Sequence, residues 1–128
     1  MKKETLKKDL NVYGEPLKPC CQKLNTGFTR TGYCEVIRED IANHSVCAVL
    51  TKEFLEFSRF RGNDLSTPRP EFDFPGLQAD DCWCLCATRW LEAHQHGVAP
   101  KIKLLSTNQS ALEIIPLELL SQYAVDLI

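Results

Sequence analysis

The stretch "HSVCAVLTKEFLEFSRFRGN", residues 44–63, constrains this chain more than any other. Residues 44–50 are a short apolar, β-branched run of the kind buried inside a sheet. Thr51 then suits a helix N-cap, and Glu53 falls in the first turn, where the helix dipole favours an anion. Phe54, Phe57 and Phe60 or Arg61 recur at three- and four-residue spacing, which predicts an amphipathic helix over 52–61. Gly62 or Asn63 can close it in the left-handed conformation.

Around this unit the pattern changes in blocks. "NVYGEPLKPC" (11–20) is extended or turn-like, because Gly14, Pro16 and Pro19 oppose a helix. "NTGFTRTGYC" (25–34) continues as loop or short strand. "DDCWCLCATRWLEAHQHG" predicts a helix capped by Asp80 or Asp81, with Trp83, Cys86, Ala87, Trp90 and His94 on one face. Gly97 marks its stop, and Pro100 follows. "PKIKLLS" and "ALEII" alternate like strands around a turn at "TNQS", predicting a hairpin. Pro116 suits the first position of a last helix, "PLELLSQYAV". Such blocks favour an α+β fold, a two-layer sandwich of a small, largely antiparallel sheet with helices on one face. We expect a flexible N-terminal tail over 1–10 and a single domain over 11–128.

Composition narrows the class of function. With 44% hydrophobic and 25% charged residues over 128 positions, the chain can bury a core of its own. A net charge of −2 gives no electrostatic case for nucleic acid. The one basic cluster, "MKKETLKKDL", is diluted by Glu4 and Asp9 and reads as a solvated terminus rather than a secretory signal. No segment reaches the ~18 apolar residues that span a bilayer. We therefore expect a cytoplasmic chain whose seven cysteines, at 20, 21, 34, 47, 82, 84 and 86, are thiols.

Residues 62–76, "GNDLSTPRPEFDFPG", show neither helical nor strand periodicity. Structureless segments beyond ~12–15 residues are uncommon in compact domains and are usually functional or disordered. Leu65, Phe72, Phe74 and Leu77 supply anchors, so an ordered loop is expected. Two prolines stiffen the backbone around Arg69 and present its guanidinium to a carboxylate or phosphate. Asp64, Ser66 and Thr67 lie nearby. The plainer reading is that Arg69 pairs with an acid of its own loop and pins it.

The cysteines allow three readings. Free cysteine is often a small buried apolar group. A soft metal is the second, with Cys34, Cys47, Cys84 and Cys86 as the candidate ligands and Cys20 or His44 as further possibilities. On a helix, residues two apart point about 200° away from each other, which opposes joint chelation by Cys84 and Cys86. The third is a reactive thiol. Cys84 would lie in the first turn of the predicted helix, where dipole and free N–H groups lower a thiol pKa. Cys47 has His44 nearby, with Asp40 to orient the ring, provided that His44 lies in the loop before the strand. His94 and His96 end a helix, where an imidazolium suits the dipole.

The runs "NVYGEPLKPC", "TGFTRTGYC", "NHSVCAVLTKEFLEFS", "RGNDLSTPRPEFDFPGL", "WCLCATRWLEA" and "GVAPKIKLLST" resemble, in order and spacing, the bacterial proteins grouped as Domain of Unknown Function family 2237. The resemblance implies a single two-layer α/β domain and no assigned activity. It puts Cys20, Cys34, Cys47, Cys84 and Cys86 on cysteine positions of the family, and Cys21 and Cys82 on positions held by other residues. Asp80 stands where a glycine is usual, and Asn108 where a histidine is expected.

The leading expectation is a pocket for a small anionic ligand between the 62–76 loop, the Cys47 strand and the start of the Trp83 helix. Arg69 and Arg89 would hold the anion, Asp64, Thr67 or His44 would make polar contacts, and Cys47 or Cys84 would be the reactive group. A non-enzymatic interaction module and a cysteine-rich metal-binding protein are the alternatives. No motif fixes a reaction, a cofactor or an oligomeric state, and neither nucleic acid nor membrane is expected as a partner.

Overall fold

The computed structural model describes residues 9–21 and 26–126. Its organising element is β1 (Val46–Val49), the centre strand of a three-stranded antiparallel sheet ordered β2-β1-β3. β2 spans Cys82–Leu85 and β3 spans Lys101–Ile102. The register pairs Val46 with Leu85, Cys47 with Cys84, Ala48 with Trp83 and Val49 with Cys82, while Ala48 also faces Ile102 across β3.

Side chains alternate across a strand, so this register gives the sheet two unlike faces. Val46, Ala48, Leu85 and Ile102 share the main core with Phe54, Leu55, Trp90, Ala93 and Leu120. Those partners come from α1 (Lys52–Phe60), α2 (Ala87–Gln95) and α3 (Leu117–Ser121). Burial of each such large apolar side chain stabilises the fold by roughly 1.5–3 kcal/mol. Trp90 is fully buried and its indole N–H donates to the Pro100 carbonyl at 3.0 Å, which satisfies the ring's one polar group. The opposite face carries sulfur: Cys47 and Cys84 pack there with Cys20 and Cys34 from the 18–36 segment, and Cys82 borders them.

α1 forms where the sequence predicts it. Thr51 is its N-cap, with the hydroxyl accepting the Phe54 N–H at 3.0 Å, and Glu53 sits in the first turn. Phe54 is buried and Phe57 partly so, whereas Phe60 lies 83% exposed beyond the end of the apolar stripe. The helix predicted from residue 82 is a correction. Residues 82–85 are strand, and α2 starts at Ala87. The predicted hairpin is a second correction: after β3 the chain folds into short 3-10 turns at Leu104–Ser106 and Gln109–Glu113. The Asp126 carboxylate accepts the Leu104 and Leu105 N–H groups at 2.8 and 2.9 Å and so ties the end of the described chain to the first of these turns. α3 is shorter than expected and takes Pro116 as its N-cap.

Asp80 adopts φ 77°, in the left-handed region, which accounts for the glycine expected there. Of the tail assigned to residues 1–10, Asp9 and Leu10 are held. Asp9 accepts from the Val36 N–H and the Asn108 amide, and Leu10 bridges to Pro16. The rest of that tail lies outside the described residues. Among the described residues, no helix is long and apolar enough to cross a membrane.

Candidate functional site

His44 sits in the loop before β1, so the strand's alternation does not separate it from its neighbours. A turn at 37–45 builds its position. Asn43 takes φ 58°, a conformation asparagine tolerates, and its amide and carbonyl oxygens are held by Ser110 and by the Ser45 and Ala87 N–H groups. Asp40, whose side chain is fully buried, accepts the His44 backbone N–H at 2.9 Å with one oxygen. Its other oxygen meets His44 Nδ1 at 2.6 Å. That contact fixes the ring and directs Nε2 away from Asp40.

Cys86 is the neighbour that acts most strongly on the ring's titration. Cys86 is the N-cap of α2 but makes no side-chain capping bond, so its sulfur stays available to the imidazole. The His44 pKa is pushed up to about 9: the Cys86 side chain contributes most, burial works in the opposite direction, and the bond to Asp40 adds to the rise. Phe28 stacks on the ring at 5.9 Å between centroids. Asp40, His44 and Cys86 thus form a carboxylate–imidazole–thiol series at a helix N-terminus.

The expected nucleophiles are placed elsewhere. Cys47 is joined to Cys20 and Cys84 to Cys34, with Cα–Cα distances of 5.6 and 5.3 Å, so neither is a free thiol here. This corrects the expectation of seven thiols. Cys84 lies on β2 rather than in a helix, and Cys47 faces the sulfur side of the sheet. The free cysteines are Cys21, Cys82 and Cys86. Of the metal set expected from sequence, Cys34, Cys47 and Cys84 come together, Cys20 joins them, and Cys86 stands with His44 instead.

The 62–76 loop is pinned, but to the other side of the molecule. Asp64 accepts the Ser66 and Thr67 N–H groups at 2.9 and 3.2 Å and the Thr67 hydroxyl at 2.6 Å. These bonds, the Thr67 hydroxyl first, hold its carboxyl below the usual range. Leu77 is buried and donates its N–H to Leu65, and Phe74 packs edge-on against Trp83 at 5.4 Å. Trp83 is on the core face, opposite Cys84 on the same strand, so the loop and the sulfur cluster lie on different faces of the sheet. Phe72 is 66% exposed and anchors nothing. Arg69 is exposed, and its backbone pairs with Phe74 across the loop. Arg89 bonds the Arg61 carbonyl and Glu92. The loop residues Asp64, Thr67 and Arg69 therefore lie on the other face of the sheet from Cys47, and Arg89 is engaged with Arg61 and Glu92.

A family described as an uncharacterised protein conserved in bacteria, DUF2237, matches residues 10–124. The chain belongs to that family. None of the curated proteins matches it. The DUF2237 span contains Asp40, His44, Cys86 and all four joined cysteines, and the family description assigns no activity to any of them. Sequence reasoning named Cys86 as a possible metal ligand and did not set it beside His44. The signal for that placement was the alternation Cys82, Cys84, Cys86, a strand period running straight into a helix N-terminus.

Proposed function

We propose that this DUF2237 protein is a thiol-dependent enzyme of the acyl-transfer or hydrolytic class, with Cys86 as nucleophile, His44 as base and Asp40 as the group that orients His44. One observation carries the reading: a fully buried carboxylate 2.6 Å from an imidazole whose pKa is raised most by a free cysteine at a helix N-terminus. The arrangement meets the requirement that an activated nucleophile have a base within reach and that a third group fix the base.

The chemistry follows from the geometry. His44 takes the Cys86 proton, and the sulfur attacks an acyl carbonyl carbon, forming a C–S bond. The bond to the leaving oxygen, nitrogen or sulfur breaks, and that group departs with the proton from His44. Water activated by the same imidazole then cleaves the thioester and regenerates the thiol. The Ala87 N–H is taken by the Asn43 carbonyl, while those of Thr88 and Arg89 meet no protein acceptor among the described residues. These first-turn donors and the helix dipole suit the oxyanion that develops beside Cys86.

The reading sets the protein in the cytoplasm, where Cys86 stays reduced. In that compartment the glutathione pool works against the two buried cysteine bridges.

Incubation with an activated aryl acyl ester tests the reading. We expect release of the aryl group with transient acylation of Cys86 by mass spectrometry, and loss of both in Cys86→Ala. Turnover that survives Cys86→Ala would remove the proposal.

A further inference from the structure

We infer that the four sulfurs of Cys20, Cys34, Cys47 and Cys84 form, in the reduced protein, a tetrathiolate site for a soft tetrahedral divalent cation of the zinc class. The Sγ atoms of Cys20, Cys34 and Cys47 all lie within 4.8 Å of one another, and Cys84 is bonded to Cys34. A zinc ion with bonds of about 2.3 Å holds its sulfurs ~3.8 Å apart at the edges of a tetrahedron. Reduction frees the bonded sulfurs to move apart to that spacing, and Cys84, outside the mutual 4.8 Å set, joins from its place beside Cys34. The four residues are 0–4% exposed, so the site is closed to a water ligand, as structural zinc sites are.

The fold supplies the ligands from two directions. Cys47 and Cys84 are cross-strand partners that do not bond each other's backbone. The Cys47 N–H goes to the Thr107 hydroxyl at 3.1 Å and the Cys84 N–H to the Thr26 hydroxyl at 2.7 Å. In such a pair the side chains stand close. Cys20 and Cys34 come down from the covering segment, which is itself held. The Cys20 N–H donates to Gly32, Ser106 donates to the Pro19 carbonyl, and the Asn108 amide donates to the Cys34 carbonyl. Lys103 brings its ammonium to the Cys20 carbonyl at 3.4 Å, a cation beside a centre that would carry two negative charges.

The bridged and metal-bound forms are alternatives. With a water-soluble phosphine as reductant, each disulfide plus one phosphine and one water gives two thiols and one phosphine oxide. The four thiols then lose four protons to bind one divalent ion. In a reducing compartment this second form is the one expected to persist, which reconciles four buried adjacent cysteines with a cytoplasmic setting.

The site is independent of the Cys86 chemistry, and its test uses cobalt(II) as probe on the full chain reduced anaerobically with the phosphine. The expected result is one equivalent bound, with the sulfur-to-metal charge-transfer and visible bands of tetrahedral tetrathiolate cobalt. Iodoacetamide should then label only the three cysteines outside the cluster. Cys86→Ser should bind identically, and the double variant Cys20→Ser, Cys47→Ser should lose the tetrathiolate spectrum. Zinc should displace the cobalt. Substoichiometric binding, a spectrum of fewer sulfurs, labelling of all seven cysteines with cobalt present, or loss of the site in Cys86→Ser would each overturn the inference. So would a reduced chain that unfolds and does not regain its circular dichroism on adding the ion.

Discussion

At the scale of single residues, the account turns on His44. Its pKa is raised from 6.5 to about 9 in the folded chain. A raised folded-state value means that the stabilisation is fully present below the unfolded pKa and disappears as pH rises through the folded one. The stability gap between wild type and His44→Gln should therefore be largest near about pH 6 and should shrink towards about pH 9.5, as read by urea unfolding across that range. A gap that widens with pH would contradict the assignment. Asp40→Asn keeps the size of the side chain but replaces a buried carboxylate with a neutral amide beside the ring. It should slow alkylation of Cys86 while leaving the labelling of Cys21 and Cys82 unchanged. Asp40 was legible as the group that orients His44, but the strand expected over 44–50 begins only at Val46, which is what leaves the imidazole in the loop. The thiol partner was not legible. Trp83, Cys86, Ala87 and Trp90 match a helical face, and in so short a window a period of 3.6 masks the period of two that Cys82, Cys84 and Cys86 also obey.

At the scale of elements, the boundary between β2 and α2 decides the chemistry. Starting the helix at Ala87 rather than at residue 82 puts Cys84 in a buried strand and leaves Cys86 at the N-cap. No propensity separates these outcomes, since the cross-strand pairing of 82–85 with 46–49 is a long-range fact. α1 was readable because its signals are local: cap, first-turn acid and apolar spacing all lie within ten residues. Thr51→Ala should cost about 1 kcal/mol, seen as a lower urea midpoint at unchanged m-value. Gly27 serves the loop that covers the sulfur face. It has φ 100°, and a Cβ there would run into the Tyr33 carbonyl while lying 3.7 Å from the Cys84 sulfur. Gly27→Ala should therefore destabilise the fold and weaken the seating of Phe28 against His44. The 62–76 loop was correctly expected to be ordered, but its prolines and arginine do not reveal which face of the sheet it covers. Leu65, Phe74 and Leu77 choose the main core by packing, and the arginine is left in solvent.

At the scale of the whole molecule, the sheet separates two buried clusters. One face builds the main core, and the other seats four sulfurs under a covering segment that also carries Phe28 to His44. The bridges span 27 and 50 residues, and chain-entropy arguments give about 3.5 and about 4 kcal/mol for loops of those lengths taken singly. Reduction without metal should thus lower the thermal midpoint by many degrees, and a thiol-binding divalent ion should restore part of the loss. The α+β class followed from blockwise patterning, but neither pairing nor clustering of cysteines could be read from spacings that lack any Cys-x-x-Cys unit. The central claim, that Cys86 is activated by His44 and Asp40, is tested most directly by mapping iodoacetamide labelling of the intact protein at neutral pH by peptide mass spectrometry. The account predicts that Cys86 labels far ahead of Cys21 and Cys82, and that His44→Ala slows it on the order of 10²-fold. A Cys86 that labels no faster than its two free companions, or a rate indifferent to loss of the imidazole, would contradict it.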